Sequence, residues 1–318
     1  MTNDKMTTIF EDDFKDFSIG STPEDYSYFD VGGKPADDGT VSYNKQGDYL
    51  NLDSHFFTTV FEPVISRSPI SVLDHVKLLV YKNEVVTLDN DSMIVMESKI
   101  SGTQNIGCIP MVYRKHITNP HADYRLGGGA LNAFDTFPLP GHNPTFIVLD
   151  FILSDEIIYF VYERLPFGRK EYGGNGDYQA FTCVVPVAKR TLCDKFTKVS
   201  MVLDRANARV ICLVNDRIRL TIPELGIPLK DKYVTFRSPG IPERVDLKLV
   251  RFGFGTFTIL DMSDPAHPSD TGLLQYANKE SYLHPSKFAS DSLDADKKLR
   301  LFSNGFTLRL KYLNVYRK

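Results

Sequence analysis

From Thr145 to Ile222 the sequence runs as short apolar stretches, each closed by turn-forming residues. TFIVLDFIL is followed by SDE and IIYFVYERL, VSMVLD by RAN and ARVICLV, and then NDR leads into IRLTI. Apolar runs of this length, rich in β-branched and aromatic residues and bounded by Asn, Asp and Ser, read as strands; neighbours joined by a brief polar turn read as antiparallel hairpins. SMIVMESKISG adds a period-two pattern, setting Ile94, Met96, Ser98 and Ile100 against Met93, Val95, Glu97 and Lys99. RVDLKLVRFGFGTFTILD and FTLRLKYLNVYR extend the series. Sustained helical periodicity is rare, and the helix candidates are 264–281 and 290–302. This spacing predicts an all-β chain, an antiparallel β-sandwich with few short helices, rather than alternating strands and helices. No linker-like composition divides the chain, so 1–318 reads as a single domain with 1–8 as a loose N-terminal tail.

The totals narrow the partners. Lys+Arg 37 against Asp+Glu 40 gives a net charge of -3 with no basic run, so no nucleic acid is expected. No apolar stretch reaches the ~18 residues of a membrane span, and the opening MTNDKMTTIFEDDF lacks a charged-then-apolar leader. A cytoplasmic protein free of membranes is the expectation. Cys108, Cys183, Cys193 and Cys212 form no CxxC pair and read as reduced thiols. His116, His121 and Asp123 match no zinc or iron spacing, so neither metal nor cofactor is expected. His142, in PGHNP, reads as a structural loop histidine. Gly127-Gly128-Gly129 is no phosphate loop, because no Lys-Ser/Thr follows it. It reads as a tight bend, or as a place where backbone approaches a ligand beside Arg125 and Asn132.

IYFVYERLPFGR raises a sharper question, because Glu163 and Arg164 end an apolar strand just before Pro166. Alternation puts Tyr159, Val161 and Glu163 on one face, and Phe160, Tyr162 and Arg164 on the other. One reading pairs each charge at the sandwich rim with a backbone group or an opposite charge. The other puts Glu163, or Arg164 with Tyr162, at the mouth of a pocket. Phe252, Phe254 and Phe257 in FGFGTFTILD read as core packing, or as an apolar pocket wall. With 22 Phe, 16 Tyr and no Trp, a pocket in this protein is expected to be apolar and aromatic.

FEDDF near the start, the VLDRANARVICLVND hairpin and the aromatic last strand resemble the concanavalin A-like lectin/glucanase jelly rolls. Asn215-Asp216 stands where that superfamily commonly has Asp-Gly. YERLPFGR, LGGGALNAFD and FGFGTFTILDM resemble, more narrowly, an uncharacterised microbial family of that fold, from about Phe10 to Tyr316. The resemblance implies a jelly roll. Glycanases of that fold usually set two or three carboxylates on one strand as Glu-x-Asp-x-x-Glu or Glu-x-Asp-x-Glu; here Glu97 is followed by Ser98 and Lys99. A hairpin turning at Ser154 to Glu156 would put Asp150 opposite Tyr159 and leave Glu163 about 13 Å away. That separation disfavours a two-carboxylate glycosidase.

The leading expectation is therefore a cofactor-free lyase, isomerase or cyclase with a small, largely apolar ligand. Glu163, Tyr162, Arg164, His116 and His121 are its candidate catalytic groups; Arg125, Asn132, Asp150, Tyr159 and Phe254 are its candidate substrate contacts. The alternative is a carbohydrate-binding or carbohydrate-cleaving jelly roll, and a third reading is a non-catalytic module. A metabolite enzyme requires a closed aromatic cavity holding a carboxylate or histidine of shifted pKa, and a glycan reader an open groove lined by Tyr, Asn and Asp.

Overall fold

Period-two apolar patterning becomes strand pairing throughout the computed structural model, which describes residues 6–31, 34–37, 39–56, 76–105, 127–154, 157–258 and 304–318. The strands in chain order begin with β1 (Thr7–Asp12), β2 (Tyr26–Tyr28), β3 (Asp30–Val31), β4 (Lys34–Pro35), β5 (Thr40–Asn44) and β6 (Tyr49–Phe56). Next come β7 (Val76–Lys82), β8 (Val86–Thr87), β9 (Ile94–Gln104), β10 (Gly127–Asp135), β11 (Ile147–Leu153) and β12 (Ile157–Arg164). The rest are β13 (Phe181–Lys189), β14 (Thr197–Asp204), β15 (Arg209–Val214), β16 (Arg217–Ile222), β17 (Val234–Arg237), β18 (Leu249–Thr258) and β19 (Asn304–Arg317).

They form two large antiparallel sheets. One runs β16-β15-β14-β9-β19-β6-β5, with β1 also on β19; the other runs β17-β13-β12-β11-β10-β18-β7-β2, with β8 on β18. The sheets pack face to face as a jelly-roll sandwich. Helical structure among the described residues is confined to 3-10 turns at Pro166–Gly168, Lys170–Tyr172 and Asp231–Tyr233. Both helix candidates and Cys108 lie outside the described residues. Thr7 and Thr8 are not loose: they pair with Arg317 and Tyr316.

The core follows the alternation. Ile94, Met96, Ser98 and Ile100 from β9 and Ile158, Phe160 and Tyr162 from β12 are all buried. Phe254 packs its ring 5.4 Å from both Phe14 and Tyr26, and Phe252 is buried beside it. Phe254 is thus a core residue, not a ligand contact. Phe257 lies on the opposite face, in a second cluster with Leu79, Ala130, Tyr159 and Val161. Gly127-Gly128-Gly129 opens β10 instead of forming a bend. A Cβ on Gly129 would come within 2.7 Å of Leu308 Cδ1 and 2.8 Å of Phe306 Cε1, so this glycine lets the two sheets approach.

Turn chemistry agrees with the hairpins. Asn215 and Asp216, with φ of 50° and 60°, join Val214 to its partner Arg217 in a two-residue connection. Positive φ at both central residues suits the right-handed twist of the strands, and Asn and Asp tolerate it. The Gly168-to-Ala180 stretch is pinned by Arg169, which donates to the carbonyls of Tyr178 and Pro239 and pairs with Glu171 at 2.6 Å.

Candidate functional site

Strand register decides which polar groups meet on the outer face of the second sheet. Asp150 of β11 pairs with Val161 of β12, and Val148 pairs with Glu163. The β11–β12 hairpin closes with Leu153 opposite Ile158, a slip of two residues from the pairing expected from the sequence. That slip overturns the 13 Å separation. Asp150 and Glu163 are diagonal neighbours on one face, about 7–8 Å apart at their backbones. On the other side of β11, Asn132 pairs with Asp150; beyond β12, Thr182 pairs with Glu163.

Each carboxyl has one neutral hydrogen-bond donor. Asn132 donates through Nδ2 to Asp150 Oδ1 at 2.6 Å, and the Thr182 hydroxyl donates to Glu163 Oε1 at 2.6 Å. Both carboxyls are only 4% exposed, and among the described residues no cation offsets their burial. Loss of hydration disfavours the charged form. Burial therefore pushes Glu163 up to about 7, partly offset by the Thr182 bond. Asp150 is raised well above its ordinary value by burial and then by the negative charge of Glu163. Like charges so close do not both ionise near neutrality, so the pair holds a proton. Asn132 leaves its own Oδ1 buried without a partner. Turned over, that amide would accept a hydrogen bond from the O–H of a neutral Asp150, where it now donates one to its oxygen.

Asn132, Asp150 and Glu163 line a cavity of about 40 Å³ with Phe29, Val76, Leu79, Phe134, Val148 and Phe257. Phe134 anchors an aromatic shelf, its ring 5.7 Å from Phe29, 5.8 Å from Tyr81 and 6.2 Å from Phe137. Arg251 stacks on the shelf, 4.2 Å from the Phe137 ring centroid. Tyr159 shares the face two residues along β12 from Val161.

The charged pair that ends β12 separates as alternation requires. Arg164 turns to the opposite side, donating to Glu243 Oε1 at 2.6 Å and lying 3.8 Å from the Tyr178 ring centroid. It is a rim ion pair and does not line the cavity, although its neighbours Glu163 and Leu165 do. Tyr162 also leaves the site: its hydroxyl sits in the core and accepts the Gly226 N–H at 2.6 Å, and burial holds its pKa well above normal. Tyr162→Phe should strip a buried N–H of its acceptor and lower stability by about 1–3 kcal/mol. Urea unfolding would measure this. An unchanged midpoint together with lost turnover would return Tyr162 to the chemistry.

Of the remaining expectations, Asn132, Asp150 and Glu163 come together, while His116, His121 and Arg125 lie outside the described residues. His142 clamps its own loop: Nε2 lies 2.7 Å from Asp135 Oδ1, and Thr145 donates to the other oxygen. Cys183 and Cys212 are buried free thiols, with burial pushing Cys183 up to about 11. Thr182, Phe29 and Phe134 join the site without any local mark in the sequence. Only cross-strand register brings them to it.

Residues 11–318 match the family described as "Family of unknown function (DUF6081)". An uncharacterized protein of Acanthamoeba polyphaga mimivirus is 25% identical, over 96% of this chain and 86% of its own length. Among solved structures, the sandwich is similar to the endo-1,3-beta-glucanase (laminarinase) catalytic domain of Thermotoga petrophila, at 10% identity, 98% coverage of each chain and a TM-score of 0.47. It is also similar to a Bacillus licheniformis beta-glucanase, at 9% identity, 97% coverage of each chain and a TM-score of 0.42. A Corynebacterium alginate lyase is 8% identical, covering 87% of this chain and 81% of its own, with a TM-score of 0.40. At these levels the likenesses transfer no chemistry.

Proposed function

This chain belongs to the DUF6081 family, a family of unknown function, and we propose from its own site that it cleaves a glycosidic bond by acid–base catalysis. The observation that carries the reading is the Asp150–Glu163 diagonal on one sheet face, with both carboxyls raised in pKa. Asp150, raised by burial and by its neighbour's charge, is the proton donor. Glu163, near 7, is ionised above neutrality and is the base. A glycosidase needs this division between a neutral acid and an ionised partner.

The steps balance. Asp150 gives its proton to the glycosidic oxygen as the bond from that oxygen to the anomeric carbon breaks. Water forms the new bond to that carbon and loses its proton to Glu163.

The small-metabolite reading loses support on volume. A cavity of about 40 Å³ holds water or one functional group, whereas ligand pockets run to about 300–1,000 Å³. A chain-like substrate lying across the face has to place only its glycosidic oxygen in the cavity, between the two carboxyls. The partly exposed rings of Phe29 and Phe137, which flank buried Phe134, are the aromatic planes on which the apolar face of a sugar can stack, a role open to Phe where Trp is absent.

The test is release of reducing ends from a panel of soluble polysaccharides by the wild type and by Asp150→Asn. Cleavage of at least one polymer, with the variant slowed by about 10²–10⁴-fold, is the expected result. No release from any polymer, or an Asp150→Asn enzyme of undiminished rate, would defeat the reading.

A further inference from the structure

A second cavity, of about 460 Å³, opens at the end of the sandwich where β12 begins. Strand β17 covers only Phe181 to Cys183 of β13, leaving the later part of β13 without a strand partner on that side among the described residues. The space lies between that stretch and β15–β16 of the other sheet. Its apolar lining comes from Ile158, Ala188, Leu192, Phe196 and Val214. Leu192 is 62% exposed, an uncovered leucine at the mouth.

Among the described residues, the charged ones that line it are cations: Lys189, Arg190, Lys195 and Arg219. Arg190 is committed to the structure, donating to the carbonyls of Ser154, Gly102 and Cys193, and so holds the wall rigid. Lys189, Lys195 and Arg219 are exposed, and none has a carboxylate partner among the described residues. The nearest acidic group on the β15–β16 turn, Asp216, is taken by Lys198 at 2.8 Å. Low-dielectric walls around charges of one sign focus the field and concentrate counter-ions. The volume falls within the range of small-molecule sites.

We propose that this cavity binds a small amphiphilic anion: an apolar or aryl body seated on Ala188, Leu192 and Phe196, with its phosphate, sulfate or carboxylate held by Lys189, Lys195 and Arg219. The site is independent of the acid pair. Ile158 stands five residues before Glu163 on β12, about 16 Å along the strand, and faces the interior while Glu163 faces outward. Among the described residues its lining holds no acid–base pair, and the role proposed for it is binding.

Isothermal titration of the full chain with phenyl phosphate, phenyl sulfate and phenylacetate, against inorganic phosphate and benzyl alcohol, tests the proposal. One molecule bound per chain is expected, at least tenfold tighter for an aryl anion than for either inorganic phosphate or the neutral alcohol. The three aryl anions rank the headgroups. Lys195→Glu with Arg219→Glu should weaken that binding at least tenfold without moving the melting temperature, because both side chains are exposed. Glu163→Gln should leave it unchanged, which separates this site from the proposed active site. Absence of binding, equal affinity for benzyl alcohol or inorganic phosphate, or a double variant that binds as tightly as wild type would overturn it.

Discussion

Glu163→Gln should lower turnover by about 10²–10⁴-fold on whichever polysaccharide the wild type cleaves, because the amide cannot take a proton from water. The sandwich should stay folded. Gln is nearly isosteric, and the Thr182 hydroxyl that donates to Glu163 can turn to accept from the amide. Stability gives an independent readout with a definite sign. Glu163 titrates near 7 in the folded protein against an ordinary value of 4.5. Between those pH values the unfolded chain has lost the proton that the folded protein keeps, so wild-type stability falls as pH rises through the window. The slope is about 1.4 kcal/mol per pH unit, or about 3 kcal/mol in all. The glutamine variant lacks this loss. Urea unfolding at pH 5 and pH 8 should therefore show the variant gaining on the wild type at the higher pH. A variant equally destabilised at both would make Glu163 a structural group, and the proposed mechanism would fail with it.

Phe254→Ala should have the largest effect on stability. The ring is fully buried among Phe14, Tyr26 and Phe252, and its removal leaves a cavity that the two sheets cannot close. A loss of about 3–5 kcal/mol is expected, read as a shift of the urea midpoint. The sign is opposite in kind to that of Glu163→Gln: turnover per folded molecule should hold while stability collapses. Retained stability with lost substrate binding would instead put Phe254 on a ligand pocket, as its Gly-aromatic setting in FGFGTFTILD allows.

Legibility in the sequence followed the range of the physics. Side-chain alternation is local, so the faces of β9 and β12 can be read from residues two apart, and Glu163 and Arg164 do diverge as that period requires. Turns are local too, and Asn215-Asp216 declares its hairpin through residues that tolerate positive φ. Register is not local. A two-residue slip at the β11–β12 turn is enough to move Glu163 from far beyond Asp150 to its diagonal neighbour, and so to make a carboxylate pair of two groups that otherwise stand too far apart. Tyr162 and Phe254 depart from expectation for a related reason: a polar-tipped or aromatic residue on a strand looks alike facing a core or facing a cleft.

What the residues determined unaided was the class of fold, because hydrophobic period and turn chemistry act over a few positions and leave an antiparallel sandwich as the way to bury so many two-sided strands. The tertiary structure alone decided the site. Asn132, Asp150, Glu163 and Thr182 come from four strands, β10 to β13, and meet only through pairing. Their raised pKa values arise from burial on a sheet face, a property of the assembled molecule and of no single segment.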